Sequence, residues 1–303
     1  MSSDSIVKKI KEIKKNKNAV ILAHNYQIGE VQDIADFVGD SLELSRKAAA
    51  TTADLIIFCG VFFMAETAKI LSPKKKVVLP DKNAGCPMAD MITGEDVKKL
   101  RKENPDAIFV AYVNSSAEIK SLIDICCTSG NAIKVVNSLP IDKKIIFLPD
   151  KYLGDFVNKK TGRHMELWNG YCPTHLKITP KDIEILKNKI PDACVLVHPE
   201  CTPEAILKAD EALSTAGIYQ YVSKSSKQNF IIGTELGMLY KLKKDFPEKM
   251  FYPVSDKIIC PNMKKITLEK TLWALEEENF EIVLSDDIIK KAQAAVQKML
   301  AIG

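Results

Sequence analysis

Three stretches of this chain repeat one another. They are NAVILAHNY from Asn18, DAIFVAYVN from Asp106 and DACVLVHPE from Asp192, with starts 88 and then 86 residues apart. A period of this kind constrains a fold more than any local signal, because each copy must be one supersecondary unit that packs against its neighbours. The register extends upstream. Ser5, Thr93, Thr179 and Thr267 each open an amphipathic, mostly lysine-rich segment, and they follow one another at 88, 86 and 88 residues. Ser and Thr accept hydrogen bonds from free N–H groups of a first helical turn, so these four residues read as helix N-caps. Asp96, Asp182 and Glu269 follow in the first turn, where the helix dipole favours a negative charge.

Each unit continues alike. A short apolar strand ends in polar residues, and a hydroxyl-led helix begins at Ser41, Ser129 or Thr215. A second apolar run follows (LIIFCG from Leu55, KIIFLPD from Lys144, NFIIGTE from Asn229), then another helix, then a third strand-like stretch ending in Cys86-Pro87, Cys172-Pro173 or Cys260-Pro261. Strands alternating with helical patterns mean βαβ units and parallel sheet. The expected architecture is α/β, with three homologous domains of short parallel sheets around a pseudo-threefold axis: 1–90, 91–177 and 178–266. The segment 267–303 is expected to pack back on the first.

Composition narrows the class. The chain has 303 residues, 46% hydrophobic and 27% charged, with a net charge of +4. No apolar run is long enough for a membrane span, and the polar, lysine-rich start does not resemble a secretory signal. Of 43 basic residues only Arg46, Arg101 and Arg163 are arginines. Without arginine clusters or interleaved aromatics, nucleic-acid binding is disfavoured, and bidentate arginine forks cannot be the main hold on a carboxylate or phosphate. Eight cysteines without close CxxC pairs are too few for a disulfide scaffold of this size and do not read as a zinc ribbon. A reducing, cytoplasmic setting is expected.

Three in-register sets carry the chemistry. The first strands end in His24, Tyr112 and His198, and two residues further in Tyr26, Asn114 and Glu200. Ligands collect at the carboxyl ends of parallel strands, and alternate residues of a strand face the same way. A lone histidine is most often a satisfied structural residue. Repetition in all three copies reverses that preference and makes the six an acid–base kit around one cavity. The second set, Ser41, Ser129 and Thr215 with neighbouring Ser214, reads individually as caps and jointly as an anion site at helix N-termini. The third is Cys86, Cys172 and Cys260. Three thiolates hold a 4Fe–4S cluster with one iron left open, while zinc, with His175 as an extra ligand, is the minority alternative. Cys59, Cys126, Cys127, Cys194 and Cys201 do not recur in register and read as buried apolar residues.

These residues resemble the quinolinate synthase family. The resemblance is carried by ILAHNYQ from Ile21, DIADFVGDSLELSRKA from Asp33, GVFFMAETAKIL from Gly60, YVNSSAEIK from Tyr112, CTSGNA from Cys127, VHPEC from Val197, GTELGM from Gly233 and the spaced Cys-Pro pairs. It covers nearly the whole chain, and only the C-terminal CxxCxxC run of some relatives is absent. The resemblance implies condensation of iminoaspartate with dihydroxyacetone phosphate to quinolinate, with loss of phosphate and two waters, in NAD biosynthesis. It implies a 4Fe–4S cluster on Cys86, Cys172 and Cys260, and a site lined by His24, Tyr26, Ser41, Tyr112, Asn114, Ser129, His198, Glu200, Ser214 and Thr215. His24, Tyr26 and Glu200 are the candidates for proton transfer. It also implies functional coupling to L-aspartate oxidase or aspartate dehydrogenase. A different cluster-dependent hydro-lyase acting on a di- or tricarboxylate is the alternative enzyme. A non-catalytic cluster carrier ranks last, having no use for six acid–base and polar residues in register.

Overall fold

The computed structural model describes residues 2–302. The chain runs three times through one sequence of elements. The first unit is α1 (Ser3–Asn16), β1 (Ala19–His24), α2 (Gly29–Ile34), β2 (Phe37–Gly39), α3 (Ser41–Ala50), β3 (Leu55–Cys59), α4 (Phe62–Leu71) and β4 (Lys76–Val78). The second is α5 (Gly94–Glu103), β5 (Ile108–Tyr112), α6 (Ala117–Ser121), β6 (Ile125–Cys127), α7 (Ala132–Asn137), β7 (Ile145–Leu148), α8 (Lys151–Thr161) and β8 (Glu166–Leu167). The third is α9 (Pro180–Lys189), β9 (Cys194–Val197), α10 (Pro203–Ile206), β10 (Glu211–Ala212), α11 (Thr215–Lys224), β11 (Asn229–Gly233), α12 (Gly237–Asp245) and β12 (Met250–Pro253). The chain ends in α13 (Leu268–Glu277) and α14 (Asp286–Ile302).

Each unit forms a four-stranded parallel sheet, ordered β2-β1-β3-β4, β6-β5-β7-β8 and β10-β9-β11-β12. Parallel neighbours require crossover connections, and the helices supply them. The three repeated α/β units therefore stand as expected, with four strands each where the apolar runs indicated three. The additional strands, β2, β6 and β10, are two or three residues long, too short to leave a periodicity. They are fixed by an aspartate just before them. Asp36, Asp124 and Asp210 accept from the backbone N–H of Ile21, Phe109 and Val195 at 2.8, 2.8 and 2.7 Å. These aspartates follow the same 88 and 86 spacing.

Thr93, Thr179 and Thr267 cap α5, α9 and α13, each accepting from the N–H three residues on. In the first unit the cap is Ser2 rather than Ser5; α1 starts one turn's fraction earlier, and the Ser5 N–H donates to Ser2 Oγ. The C-terminal segment divides. α13 packs on α1 and β3 of the first unit, whereas α14 lies chiefly on α6 and β6 of the second, with a smaller contact to α4. The reason is its apolar stripe: Ile289, Ala292, Val296 and Met299 are buried at helical spacing, and Asn131 Nδ2 donates to the Met299 carbonyl at 3.1 Å. The first and third units meet closely where Gly237, at the start of α12, lies against Tyr26. A Cβ at Gly237 would stand 2.6 Å from the Tyr26 backbone, which no side chain could tolerate. No helix among the described residues is long and apolar enough to cross a membrane.

Candidate functional site

A cavity of about 200 Å³ lies where the carboxyl ends of the three first strands converge. Every unit contributes. His24, Tyr26 and Ser41 come from the first, Tyr112, Asn114 and Ser129 from the second, and His198, Glu200 and Thr215 from the third. Cys86, Cys172 and Cys260 complete the wall. The cysteine turns are built alike. Each Cys-Pro is followed by a single 3-10 turn (Ala89–Met91, His175–Lys177, Met263–Lys265) and then by the threonine cap of the next helix. Burial, with Glu200 and Cys260 adding negative charge, pushes the Cys86 thiol up to about 12. Burial and Glu200 likewise raise the Cys172 thiol well above its ordinary range.

The strand-end histidines are held by one device. Tyr26 N–H donates to His24 Nδ1 at 3.1 Å, and Glu200 N–H donates to His198 Nδ1 at 3.3 Å. Accepting at Nδ1 leaves the proton on Nε2. Burial, with His198 opposing its charge, holds His24 down at about 3; burial does the same for His198, with His175 opposing its charge. Both rings are thus neutral at physiological pH and available as N–H donors. Tyr26, Asn114 and Glu200 do not lie on the strands. β1 ends at His24, β5 at Tyr112 and β9 at Val197. Turns closed by Gln27 N–H to the His24 carbonyl and Cys201 N–H to the His198 carbonyl, both 3.0 Å, carry Tyr26 and Glu200 into the cavity.

A hydrogen-bonded chain crosses from the first unit to the second. Tyr26 Oη is 2.6 Å from Thr234 Oγ1, which is 2.9 Å from His175 Nε2. His175 Nδ1 is 2.8 Å from Glu200 Oε2, and Tyr112 Oη donates to Glu200 Oε1 at 2.6 Å. Burial opposes the Glu200 charge, but His175, His198 and the donated hydrogen bonds outweigh it and hold the carboxyl below the usual range. Burial and the Glu200 charge lift both Tyr26 and Tyr112 well above the ordinary phenol. At neutral pH the chain therefore contains one carboxylate flanked by protonated phenols. Asn114 Oδ1 is buried with no partner in the protein, an acceptor awaiting a donor.

The hydroxyl set needs correction. Ser41 and Thr215 are the first residues of α3 and α11, not their caps; the caps are Asp40 and Ser214. Ser129 precedes α7 by three residues and caps nothing. Ser214 Oγ accepts from Gly217 N–H at 3.1 Å and does not line the cavity. Displacement from the cap frees Ser41, Ser129 and Thr215 to face a ligand, and Thr215 Oγ1 is oriented by Asn25 Nδ2 at 2.9 Å. The positions just before them, Asp40, Thr128 and Ser214, meet around Gly130, whose Cβ would stand 3.7, 3.5 and 3.4 Å from their side-chain oxygens. None of the three arginines lines the cavity, and Lys177 is the one basic side chain that does.

The sequence reading missed His175 and Thr234 as members of the hydrogen-bonded chain. His175 had a signal, three residues after Cys172. Thr234 had none beyond its place in GTELGM. Asp40 and Lys177 were also passed over, one inside an apparent cap and the other among many surface lysines.

Residues 8–301 match the family described as Quinolinate synthetase A protein. The chain is 51% identical over 302 residues to the quinolinate synthase of Dehalococcoides mccartyi, covering all of both chains. It is 51% identical over 304 residues to that of Caldicellulosiruptor saccharolyticus, again end to end. It is 52% identical over 297 residues to that of Thermodesulfovibrio yellowstonii, covering 98% of each.

Proposed function

The chain belongs to the quinolinate synthase family of NAD biosynthesis, and on that premise we propose that its central cavity condenses iminoaspartate with dihydroxyacetone phosphate, releasing phosphate and two waters. The observation that carries this reading is the Tyr26–Thr234–His175–Glu200–Tyr112 chain, which joins all three units beside three thiols. The reaction makes a ring from two anionic substrates and must move protons while an imine, an enamine and two departing hydroxyls interconvert.

The residues present fit a 4Fe–4S cluster on Cys86, Cys172 and Cys260. Each unit gives one thiol to one cavity. The Cys86 sulfur accepts from the N–H groups of Ala89 and Met88, and the Cys172 sulfur from that of His175, contacts that favour thiolate. The three sulfurs do not all lie within 4.8 Å of one another. One tetrahedral zinc would hold them about 3.8 Å apart, so a larger group suits this spread better. When bound, the cluster supplies an iron with an open coordination position, a Lewis acid for the dehydrations.

The protein's own groups do the rest. Ser41, Ser129 and Thr215 donate to substrate carboxylates, with the N-termini of α3 and α11 behind two of them. Lys177 is the assignment for the phosphate. His24 and His198 donate from Nε2, and Asn114 Oδ1 accepts from a substrate N–H or O–H. Glu200 takes a proton on its carboxylate and returns it through Tyr112 or His175, while Tyr26 delivers one from its hydroxyl and is reloaded through Thr234. Burial excludes bulk water from these transfers. An aspartate-oxidising enzyme would supply the labile iminoaspartate, and the free cysteines suit a cytoplasmic location.

The test is quinolinate formation by anaerobic, fully iron-loaded protein. Wild type is expected to turn over, while Tyr26→Phe and Glu200→Gln keep the cluster, still bind quinolinate and lose at least ~10²-fold in turnover. Near-normal turnover in both variants would remove the relay from the mechanism. Absence of quinolinate from the iron-loaded wild type would remove the reaction itself.

A further inference from the structure

The three cysteine turns share a backbone but not a neighbourhood. Three residues after the cysteine stand Ala89, His175 and Met263. Only the second turn therefore adds a nitrogen ligand, and that nitrogen faces a carboxylate. His175 Nδ1 lies 3.2 Å from Cys172 Sγ and 2.8 Å from Glu200 Oε2. Among the described residues this is the one set of three such donors whose ligand atoms all fall within 4.8 Å of one another.

A sulfur, an imidazole nitrogen and a carboxylate oxygen form a characteristic zinc donor set, and a tetrahedral ion would place the nitrogen about 3.5 Å from the sulfur and about 3.4 Å from the oxygen. The observed separations need an opening of roughly half an ångström or less to reach that geometry. The donors are already aimed from behind. His175 Nε2 meets Thr234 Oγ1 at 2.9 Å, Glu200 Oε1 accepts from Tyr112 at 2.6 Å, and the His175 ring stacks on His198 with centroids 4.6 Å apart. Such outer contacts fix tautomer and orientation in metal sites. All three donors line the cavity, which gives the ion a way in and a fourth position for water.

We propose that the cluster-free chain binds one zinc ion on Cys172 Sγ, His175 Nδ1 and Glu200, and that this ion and the iron–sulfur cluster exclude each other. On binding, Zn²⁺ takes the place of the Cys172 thiol proton, which is released to solvent. His175, whose Nδ1–H faces the Glu200 carboxylate in the metal-free chain, shifts its one proton to Nε2, toward Thr234 Oγ1, and so frees the Nδ1 lone pair for the ion. Exclusion follows because Cys172 cannot serve both groups, and because zinc outcompetes Fe²⁺ for sites of this kind. Zinc would then halt cluster assembly at the one turn where the cysteine has a nitrogen beside it. The exclusion rests on the proposed cluster ligands; zinc binding does not.

The experiment uses full-length, metal-free protein under anaerobic conditions, titrated with Zn²⁺ against a chromophoric chelator and with Co²⁺ as a spectroscopic probe. The expected result is one ion per chain, with tetrahedral cobalt bands and the charge-transfer intensity of a single thiolate. His175→Ala and Glu200→Gln should each weaken zinc by more than the ~10–100-fold that loss of an outer contact costs. The double variant Cys86→Ser/Cys260→Ser should bind it as wild type does. Zinc lost from the double variant but retained by His175→Ala would place the ion on the three cysteines and overturn the site. Absence of saturable binding to folded wild type would do the same. Exclusion is read separately, from cluster absorbance after iron and sulfide are added. One equivalent of zinc given first should suppress that absorbance in wild type and not in His175→Ala. Equal cluster formation with and without zinc in wild type overturns the exclusion while leaving the zinc site standing. Failure of zinc-free wild type to form a cluster would instead count against the proposed cluster ligands.

Discussion

The turns at Cys172 and Cys260 have the same skeleton and different neighbours. Both run Cys-Pro, 3-10 turn, threonine cap. At Cys172 the neighbours are His175 and Glu200, which face the cavity, with His175 Nδ1 3.2 Å from the sulfur and 2.8 Å from the Glu200 carboxylate. At Cys260 they are Glu235 and Lys264, which face away and lock the backbone. Glu235 is fully buried; its carboxylate accepts from Cys260 N–H at 3.1 Å and Gly237 N–H at 2.7 Å, and pairs with Lys264 Nζ at 2.9 Å. The same ammonium also donates to the Tyr26 carbonyl. One turn is therefore a chemical neighbourhood and the other a clamp between the first and third units. A repeat fixes where side chains arrive, while a single substitution, His for Met at the third position or Lys for Leu at the fourth, decides what they do there.

The largest expected effect tests what the turns have in common. Cys86→Ser, Cys172→Ser and Cys260→Ser should each abolish the anaerobic brown chromophore or make it labile. Cys59→Ser, Cys126→Ser and Cys194→Ser should leave iron content near wild type, since these cysteines fall outside the repeat. Full iron occupancy in Cys172→Ser would break the equivalence of the three turns.

The next effect separates clamp from chemistry. Lys264→Met strips the partner from a buried carboxylate, a change that costs about 3–5 kcal/mol in comparable buried pairs. Leu176 holds the matching position in the Cys172 turn and is 40% exposed, so Leu176→Ala should stay within about 0.5 kcal/mol. Denaturant melts of the cluster-free chains give both numbers. Equal losses would mean that the ion pair contributes nothing specific to the third turn.

How far these contrasts were legible in the sequence follows from their physics. The 88- and 86-residue spacing reports on every unit at once, so the parallel sheets and the convergence of His24, Tyr112 and His198 could be read from it. Strands of two or three residues carry no period, yet Asp36, Asp124 and Asp210 mark them in the same register, a signal present but unused. The cap assignments slipped by one to three residues because Asp40-Ser41, Ser129-Gly130 and Ser214-Thr215 each offer more than one capping or turn residue. Tertiary pairs were harder. Glu235 with Lys264, or Thr234 with His175, join separate loops, and no local pattern predicts which loops will touch. α14 went to the second unit because its apolar stripe fits α6 and β6, a choice that amphipathicity alone cannot make.

A smaller contrast lies among the residues that meet around Gly130. Asp40, Thr128 and Ser214 hold equivalent positions, but only Asp40 titrates. Burial lifts its carboxyl to about 6, against the backbone N–H groups of Glu43 and Leu42 that favour the anion. A raised folded-state pKa means the folded chain holds this proton more tightly than the unfolded one. Its stabilising contribution is complete below pH ~4 and is lost as pH rises to about 6, a change of roughly 3 kcal/mol for a shift of two units. Asp40→Asn keeps an acceptor for the Glu43 N–H and removes the titration. The variant should therefore gain on wild type between pH 4 and 6 and hold that gain above it. A difference in melting temperature that stays flat across this range would place the pH dependence elsewhere.

The smallest effect distinguishes two serines that the sequence placed in one group. Ser214 caps α11 through a 3.1 Å bond from Gly217 and lies off the cavity. Ser129 lines the cavity and caps no helix. Ser214→Ala should cost about 1 kcal/mol of stability, the usual loss for a cap. It should leave affinity for quinolinate unchanged, because its oxygen is committed to backbone. Ser129→Ala removes a hydroxyl with no capping duty, so stability should hold. A hydrogen bond to a charged ligand is worth roughly 1.5–3 kcal/mol, and its loss should weaken quinolinate by about 10-fold or more. Paired melting curves and calorimetric titrations on the two variants give a double dissociation. Stability without affinity at Ser214, and affinity without stability at Ser129, would assign the anion to the cavity-facing hydroxyl and not to the helix cap. If Ser129→Ala bound quinolinate as wild type does, the carboxylate contacts would fall to Ser41 and Thr215 alone, and the second unit would serve the reaction through Tyr112 and Asn114 only.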